Sequence, residues 1–160
     1  MVTHAEVIDP ALTRELRRAI LRPSLPAAAS LPGDDLPDAV HFGVRIGQAI
    51  VSTCFVFPDP CPWLPERSPA WHLRQMATAP EHRGRGYAGL AVVAALAHVR
   101  AAGADILWLQ ARERAVPMYE RHGFIGVGEL FTDEEHTVPH LRMWQPVGAK
   151  TDEITPTIKR

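Results

Sequence analysis

The segment that most constrains the fold lies between Trp71 and Gln110. It contains the strand-like "WHLRQMATA", the glycine-rich "HRGRGYAGLA", the almost entirely apolar "GYAGLAVVAALAHVRAAG" and the mostly apolar "ILWLQ". The long apolar run predicts a buried helix that ends at Gly103. "ILWLQ" is typical of a central strand covered on both faces. Strand, helix and strand in this order predict a right-handed crossover between parallel strands.

The segment before this crossover predicts a short strand, a helix and a hairpin. "AEVID" (Ala5–Asp9) is typical of a short strand. "PALTRELRRAIL" predicts a helix that begins at Pro10. Its apolar residues are spaced to line one face, and they are Leu12, Leu16, Ala19 and Ile20. After a proline-rich loop, "VHFGVRIGQAIVSTCFVF" predicts two strands around a turn near Ile46-Gly47.

The segment after the crossover predicts one short helix and two final strands. "RAVPMYERHG" is typical of a helix that ends at Gly123, and "FIGVGELF" and "HTVPHLRMWQPV" predict an antiparallel pair. The whole order predicts an α/β fold of mixed, α+β-like character. We expect one central, splayed, mixed sheet of about six to seven strands, with helices on both faces.

Length, charge and composition narrow the possible function classes. The 160 residues suit one domain, which we place at 1–147, followed by a polar tail at 148–160. The net charge of −1 leaves no broad basic face, so we expect no nucleic-acid partner. The longest apolar run, Tyr87–Val99, is shorter than the ~20 residues of a membrane span, so we expect no membrane partner.

The start of the chain and its two cysteines predict a cytoplasmic protein. The opening residues lack the basic-then-apolar order of a signal peptide. Cys54 and Cys61 are expected to be free thiols, although a disulfide across the loop between them stays open.

The glycine-rich loop contains the spacing of two different phosphate-binding motifs. Gly84-x-Gly86-x-x-Gly89 has the spacing of a dinucleotide-binding turn, in which the first glycine directly follows a strand and an acidic residue follows the next strand. Here 80–83 separate the strand from the first glycine, and Asp105 precedes the next strand. The sequence therefore disfavours an oxidoreductase with a Rossmann fold.

The same loop is physically suited to another phosphate. Glycines let the backbone turn sharply and approach a ligand, and the following helix supplies unpaired N–H groups and the positive end of its dipole. Arg83 and Arg85 add positive charge. A plain strand-to-helix turn with solvated arginines is the alternative.

Two motifs in the correct order resemble the GNAT superfamily of acetyl-CoA-dependent N-acetyltransferases. "RGRGYA" (Arg83–Ala88) matches the family's pyrophosphate motif Gln/Arg-x-x-Gly-x-Gly/Ala. "ARERAVPMYERHGF" is similar to the family's segment that ends in aromatic-Tyr-x-x-x-Gly-Phe, with Met118 where an aromatic residue is common. The resemblance covers Ala5 to Pro146 and is strongest over Trp71 to Phe124.

The resemblance implies acetyl-CoA as the co-substrate. We expect no metal site, because Pro139 argues against a helix that would present His136 and His140 to one metal ion. In this family the strand before the loop splays from its neighbour, and the pantetheine arm enters the gap. The implied pantetheine contacts are backbone groups of Met76, Ala77 and Thr78. The implied pyrophosphate contacts are the amides of Gly84, Arg85, Gly86, Tyr87 and Ala88, with Arg83 at the start of the motif. Arg112 stands where the family frequently has an asparagine that touches the pantetheine.

The resemblance also implies catalytic roles. Tyr119 corresponds to the residue that protonates the leaving thiolate, although it also suits simple packing of the short helix. Many family members use a glutamate on the strand before the loop as the general base, but "WHLRQM" carries no carboxylate. The candidates are His72, Glu129, His136 and His140, of which His140 is favoured. Each of these residues is also compatible with a surface or packed polar position.

The implied reaction is acetyl transfer to a primary amine by direct attack through a tetrahedral intermediate. The favoured acceptor is a small molecule, and a peptide terminus or a lysine is the less favoured alternative. Asp34, Asp35 and Asp38 lie in the segment that usually shapes the acceptor side, where they favour a cationic amine or act as solvated turn carboxylates. A non-catalytic domain that senses acyl-CoA is the alternative, and both a monomer and a homodimer stay open.

Overall fold

A computed structural model describes residues 4–27 and 29–148, which form seven strands and three α-helices. The first five elements are β1 (Glu6–Val7), α1 (Pro10–Leu21), β2 (Val40–Ile46), β3 (Ala49–Pro58) and β4 (Ala70–Thr78). The remaining five are α2 (Tyr87–Ala101), β5 (Ile106–Arg112), α3 (Val116–Arg121), β6 (Ile125–Phe131) and β7 (His140–Pro146). Every predicted element is present. The predicted tail lies outside the described residues, apart from Gly148.

The strands form one mixed sheet in the order β1-β2-β3-β4-β5-β7-β6, and the predicted fold class is confirmed. β1, β2 and β3 are linked by antiparallel pairs, and so are β5, β7 and β6. β4 and β5 are parallel, with Ala70–His72 in register with Ile106–Trp108. This arrangement differs from the parallel, doubly wound sheet of a Rossmann fold.

The chain divides into two compact units. The first unit comprises Met1–Phe57 and Leu73–Ala95, and the second comprises Pro58–His72 and Leu96–Arg160. β4 and α2 therefore each contribute residues to both units.

In the first unit, α1 buries polar residues instead of its apolar stripe. The helix begins as predicted, because the Asp9 side chain caps it by accepting from the Ala11 N–H at 2.9 Å. Its fully buried side chains are Thr13 and Arg17, whereas Leu12 is 56% exposed. The expected apolar face instead lines an open groove, whose helix residues are Leu12, Leu16, Ala19 and Ile20.

The helix α2 is buried on one side and exposed on the other, although its sequence is apolar nearly all round. Ala91, Val92 and Ala95 are fully buried, whereas Val93 is 53% exposed. The helix is followed by Gly103, whose φ of 83° is left-handed and suits glycine, as predicted for a helix end.

The second unit packs around two tryptophans. The buried residues of this cluster are Cys61, Ala70, Ile106, Trp108 and Trp144. The imidazole of His72 stacks on Trp108, with ring centroids 3.5 Å apart. These contacts surround the first half of β5 with apolar and aromatic groups, as its sequence predicted.

Both cysteines are free and buried, which confirms the predicted thiols. Burial raises the pKa of the Cys54 thiol to about 12. Across the part of the chain that the structure describes, no helix combines the length and apolarity needed to cross a membrane.

Candidate active site

The glycine-rich loop presents exposed backbone at the start of α2. Gly84 and Gly86 have φ values of 76° and 81°, a left-handed conformation that side-chain-bearing residues rarely adopt. A Cβ at either position would meet no atom within 4 Å. The space beside the loop is therefore open, and the glycines are needed for backbone conformation.

The helical hydrogen bonds begin after this loop. The Leu90 N–H donates to the Gly86 carbonyl at 3.2 Å. The N–H groups of the residues just before Leu90 lie at the start of the helix. No earlier helical turn supplies carbonyl groups that could accept their hydrogen bonds. Together with the positive end of the helix dipole, these N–H groups are chemically suited to an anion.

Three hydrogen bonds anchor the base of the loop within the first unit. The Ala79 N–H donates to the Val51 carbonyl at 2.8 Å, and the hydroxyls of Thr78 and Ser52 are 2.9 Å apart. Arg83 Nε donates to the Thr78 carbonyl at 3.3 Å. Arg83 is thus tied to the end of β4 while it remains exposed to solvent.

Gln75, in the middle of β4, has a φ of 55° and is the one non-glycine residue with a positive φ in the described ranges. Such a conformation costs roughly 1–3 kcal/mol and persists only where its surroundings hold it. Met76 and Thr78 follow, both half-buried, with the buried Ala77 between them. The sequence carried no signal for this feature, because glutamine is not a residue that favours left-handed turns.

Asp34 is already paired with two arginines. Its carboxylate lies 2.6 Å from Arg17 Nη2 and 3.2 Å from Arg14 Nε, and it also accepts from the Leu31 N–H at 3.2 Å. Burial alone would raise the pKa of Asp34, but the hydrogen bond from Arg17 and the other contacts lower it overall. Of the three aspartates considered for the acceptor, only Asp35 and Asp38 are exposed.

In the second unit, Tyr119 is buried on the short helix α3. Its ring packs edge-to-face on Phe124 at 5.5 Å, and its carbonyl accepts from the N–H groups of His122 and Phe124 at 3.0 and 3.1 Å. Gly123 has a φ of 93° and lies against the Gln145 side chain. The turn after α3 therefore holds Tyr119 by backbone contacts.

His140 is held in one tautomer at the start of β7. Its Nδ1 lies 2.7 Å from the Val138 carbonyl, so Nδ1 carries the proton and donates it. The other ring nitrogen, Nε2, then has the lone pair that a base requires. Burial is the main cause that lowers the pKa of His140, so the ring is neutral at neutral pH.

Ionisable side chains lie near His140 within the second unit. Arg112 is its partner in the β5–β7 register, and the ring of His136 lies edge-on at 4.5 Å. His136 Nδ1 lies 2.8 Å from Asp133 Oδ1, and this hydrogen bond lowers the pKa of Asp133. Among the residues placed by the structure, no group of histidine, cysteine and carboxylate side chains could hold a metal ion.

Comparison with known proteins identifies the family of this chain. The family model described as "Acetyltransferase (GNAT) family" matches residues 11–124. The chain belongs to the GNAT family of acetyltransferases. It is accordingly an acyltransferase, as predicted. A search of curated proteins found no match to the sequence.

Solved structures show the same GNAT fold at low sequence identity. The N-acyl amino acid synthase FeeM of uncultured soil microbes is 16% identical, with a TM-score of 0.68 over 91% of this chain and 95% of that one. The ribosomal-protein-S18-alanine N-acetyltransferase of Escherichia coli is 14% identical, with a TM-score of 0.65 over 92% and 95%. An aminoglycoside 6'-N-acetyltransferase complexed with coenzyme A is 13% identical, with a TM-score of 0.66 over 91% and 97%.

The predicted GNAT site residues are distributed over both units. Met76–Thr78 and Arg83–Ala88 belong to the first unit, whereas Arg112, Tyr119 and His140 belong to the second. Within the second unit, Arg112 and His140 lie side by side on neighbouring strands.

Two of the other predicted base candidates are less suited to that role. His72 is buried against Trp108, and its Nδ1 lies 3.1 Å from Asp59 Oδ2, so it serves packing in the second unit. Glu129 is exposed on β6.

Proposed function

We propose that this GNAT protein transfers the acetyl group of acetyl-CoA to a primary amine of a small molecule. The observation that carries the proposal is the loop Arg83–Ala88, with two left-handed glycines and open space beside them at the start of a 15-residue helix. The proposal rests on this loop together with family membership.

The residues of the first unit fit the coenzyme. A pyrophosphate needs several N–H donors beside open space, and we assign this role to the amides of Gly84–Ala88 because the space beside Gly84 and Gly86 is open. Arg83 and Arg85 are both exposed and add positive charge beside those amides. We assign the backbone groups of Met76–Thr78 to the pantetheine arm, as the family resemblance implies.

We assign three chemical roles to this chain's own groups. Nε2 of His140 accepts the proton that the attacking amine loses, because the ring is neutral and Nδ1 is already committed to Val138. The N–H of Met76 donates to the thioester oxygen as negative charge develops on it in the tetrahedral intermediate. The phenol of Tyr119 protonates the leaving thiolate.

The acceptor that we propose is cationic before it reacts. The exposed carboxylates Asp35 and Asp38, in the loop between α1 and β2, support this class. Asp34 is excluded from the role because its charge is paired with Arg14 and Arg17. Small-molecule acceptors are represented among structural neighbours by the aminoglycoside enzyme, and protein acceptors by the S18-alanine enzyme.

Thiol release from acetyl-CoA tests the activity. The assay offers polyamines, aminoglycosides, amino acids and a peptide with a free N-terminus in separate reactions, and mass spectrometry identifies the product. Turnover with a small amine supports the proposal, whereas turnover with the peptide alone reassigns the acceptor. Tight binding of coenzyme A with no turnover on any acceptor would support the sensor alternative.

The pH dependence of kcat/KM tests the proposed base. Because the pKa of His140 is lowered, wild-type activity should decline only as the pH falls below the ordinary histidine range. His140→Asn keeps a donor for the Val138 carbonyl but has no basic nitrogen, so kcat/KM should fall by about 10²–10⁴-fold. The matched His136→Asn variant should lose much less activity. Equal activity of wild type and His140→Asn at pH 7 would remove His140 from the mechanism.

We also propose the cytoplasm as the compartment of this protein, supported by two buried cysteines that remain free thiols.

A further inference from the structure

A buried arginine of α1 reaches the left-handed residue of β4. Arg17 is 1% exposed, and each of its guanidinium nitrogens donates a hydrogen bond. Nε donates to Thr13 Oγ1 at 2.9 Å, and Nη1 donates to Gln75 Oε1 at 3.1 Å. Nη2 donates to Asp34 Oδ1 at 2.6 Å and to the Pro10 carbonyl at 3.2 Å. The guanidinium is thus fixed on three sides.

The side chain of Gln75 is held at both ends of its amide. Its Oε1 accepts from Arg17, and its Nε2 donates to the Pro32 carbonyl at 2.8 Å. A non-glycine residue keeps a φ of 55° only where its surroundings determine that conformation. These two hydrogen bonds are such surroundings, because they restrain the side chain at the residue whose backbone is unusual.

The conformation of Gln75 determines where the next peptide points. Successive residues of a regular strand point to opposite faces, and a left-handed residue interrupts this alternation. The first group after the interruption is the N–H of Met76, followed by Ala77 and Thr78. This is the stretch assigned above to the pantetheine arm and the thioester.

We propose that Arg17 and Gln75 are positioning residues that hold the β4 backbone in the conformation needed to bind acetyl-CoA and polarise its thioester. We call this pair the Arg17–Gln75 clamp. The inference rests on the proposed function. It assigns neither residue a contact with the coenzyme, since both act through the backbone at Met76.

Alanine and glycine at position 75 test the clamp. Both variants remove the side-chain hydrogen bonds, but only glycine adopts a positive φ without strain. Gln75→Ala should lose about 100-fold in kcat/KM, the scale of a misplacement of roughly 1 Å. Gln75→Gly should stay within about 10-fold of wild type, because its backbone still reaches the required conformation.

Arg74 provides the matched control. It precedes Gln75 in the same strand and lacks a positive φ, so alanine should be tolerated there better than glycine. The order of the two variants should therefore be reversed between positions 74 and 75. Thermal unfolding of all four variants identifies any that fail to fold.

A double-mutant cycle tests whether Arg17 acts through Gln75. Arg17→Met should lower kcat/KM by about 10²-fold in the wild-type background. In the Gln75→Gly background the same change should alter kcat/KM much less, because glycine no longer depends on the clamp. Losses that multiply in the double variant would overturn the coupling.

The wild-type measurement separates failure of the clamp from failure of the proposed function. A wild-type protein that binds no coenzyme A in calorimetry overturns both. A wild-type protein that binds and turns over, with Gln75→Gly no more active than Gln75→Ala, overturns the clamp alone. Glycine more active than alanine at position 75, with the reverse order at position 74, supports it.

Discussion

Acidification should destabilise the protein because it favours protonation of His41, a buried residue of β2 in the first unit. The side chain is 3% exposed and stacks on Phe55, with ring centroids 4.8 Å apart. Burial, aided by the positive charge of Arg17, lowers the pKa of His41 from 6.5 to about 4. The Gly33 backbone and the carboxylates of Asp34 and Asp9 offset part of this effect.

The sign of the effect follows from proton binding. Between pH 6.5 and about 4, the unfolded chain binds a proton at His41 that the folded protein does not bind. The free energy of unfolding therefore decreases as the pH falls through this window and levels off below it. A difference of about 2.5 pKa units, at 1.36 kcal/mol per unit, corresponds to about 3 kcal/mol.

Urea denaturation followed by circular dichroism at several values between pH 7 and 4 measures this loss. The His41→Leu variant lacks the titrating group. As the pH falls through this window, the free energy of unfolding of the variant should therefore decrease by about 3 kcal/mol less than that of wild type. Phe55→Leu is the matched control, because it alters the same stack and keeps the histidine. Parallel pH profiles for wild type and His41→Leu would refute the reasoning.

The remaining predictions concern the site and its support. Gly86→Val should abolish coenzyme A binding in calorimetry, while Gly47→Val, which has a similar left-handed φ and open surroundings in a hairpin turn, should leave the affinity unchanged. Equal affinities of the two variants would contradict the proposed phosphate site. Tyr119→Phe should lower kcat by about 10²–10⁴-fold with little change in acetyl-CoA affinity. An unchanged kcat, measured where the chemical step limits the rate, would show that Tyr119 only packs the short helix. Asp34→Ala should lower the free energy of unfolding by about 3–5 kcal/mol, because it leaves a buried guanidinium without its closest counter-charge. Asp35→Ala should change stability by less than about 0.5 kcal/mol, and similar losses for both aspartates would refute the pairing argument.

The element order and the family were predictable because their signals are local. The strand, glycine loop, apolar helix and apolar strand between Trp71 and Gln110 each depend on neighbouring residues in the sequence. A glycine pair before a helix start is also a local requirement, so Gly84 and Gly86 were identifiable before their φ values were known. The catalytic roles of Tyr119 and His140 stay predictions, since they came from the resemblance.

Local patterns do not decide which face of a helix is covered. The apolar stripe of α1 lines an open groove, while Thr13 and Arg17 are buried. An arginine can be buried only where enough acceptors surround it, and for Arg17 two of these acceptors, Asp34 and Gln75, come from other parts of the chain. Asp34 and Gln75 lie 17 and 58 residues beyond Arg17, so no pattern within the helix announces them.

The same reason hides the conformation of Gln75. From its own sequence, β4 is an ordinary strand, and glutamine has no preference for a positive φ. The left-handed backbone there exists because Arg17 and the Pro32 carbonyl hold the side chain from two other segments. The sequence alone determined that this strand leads into a glycine-rich loop before a helix. Only tertiary contacts decided how its backbone is turned before it reaches that loop, because the energy that maintains a strained residue comes from groups distant in the chain.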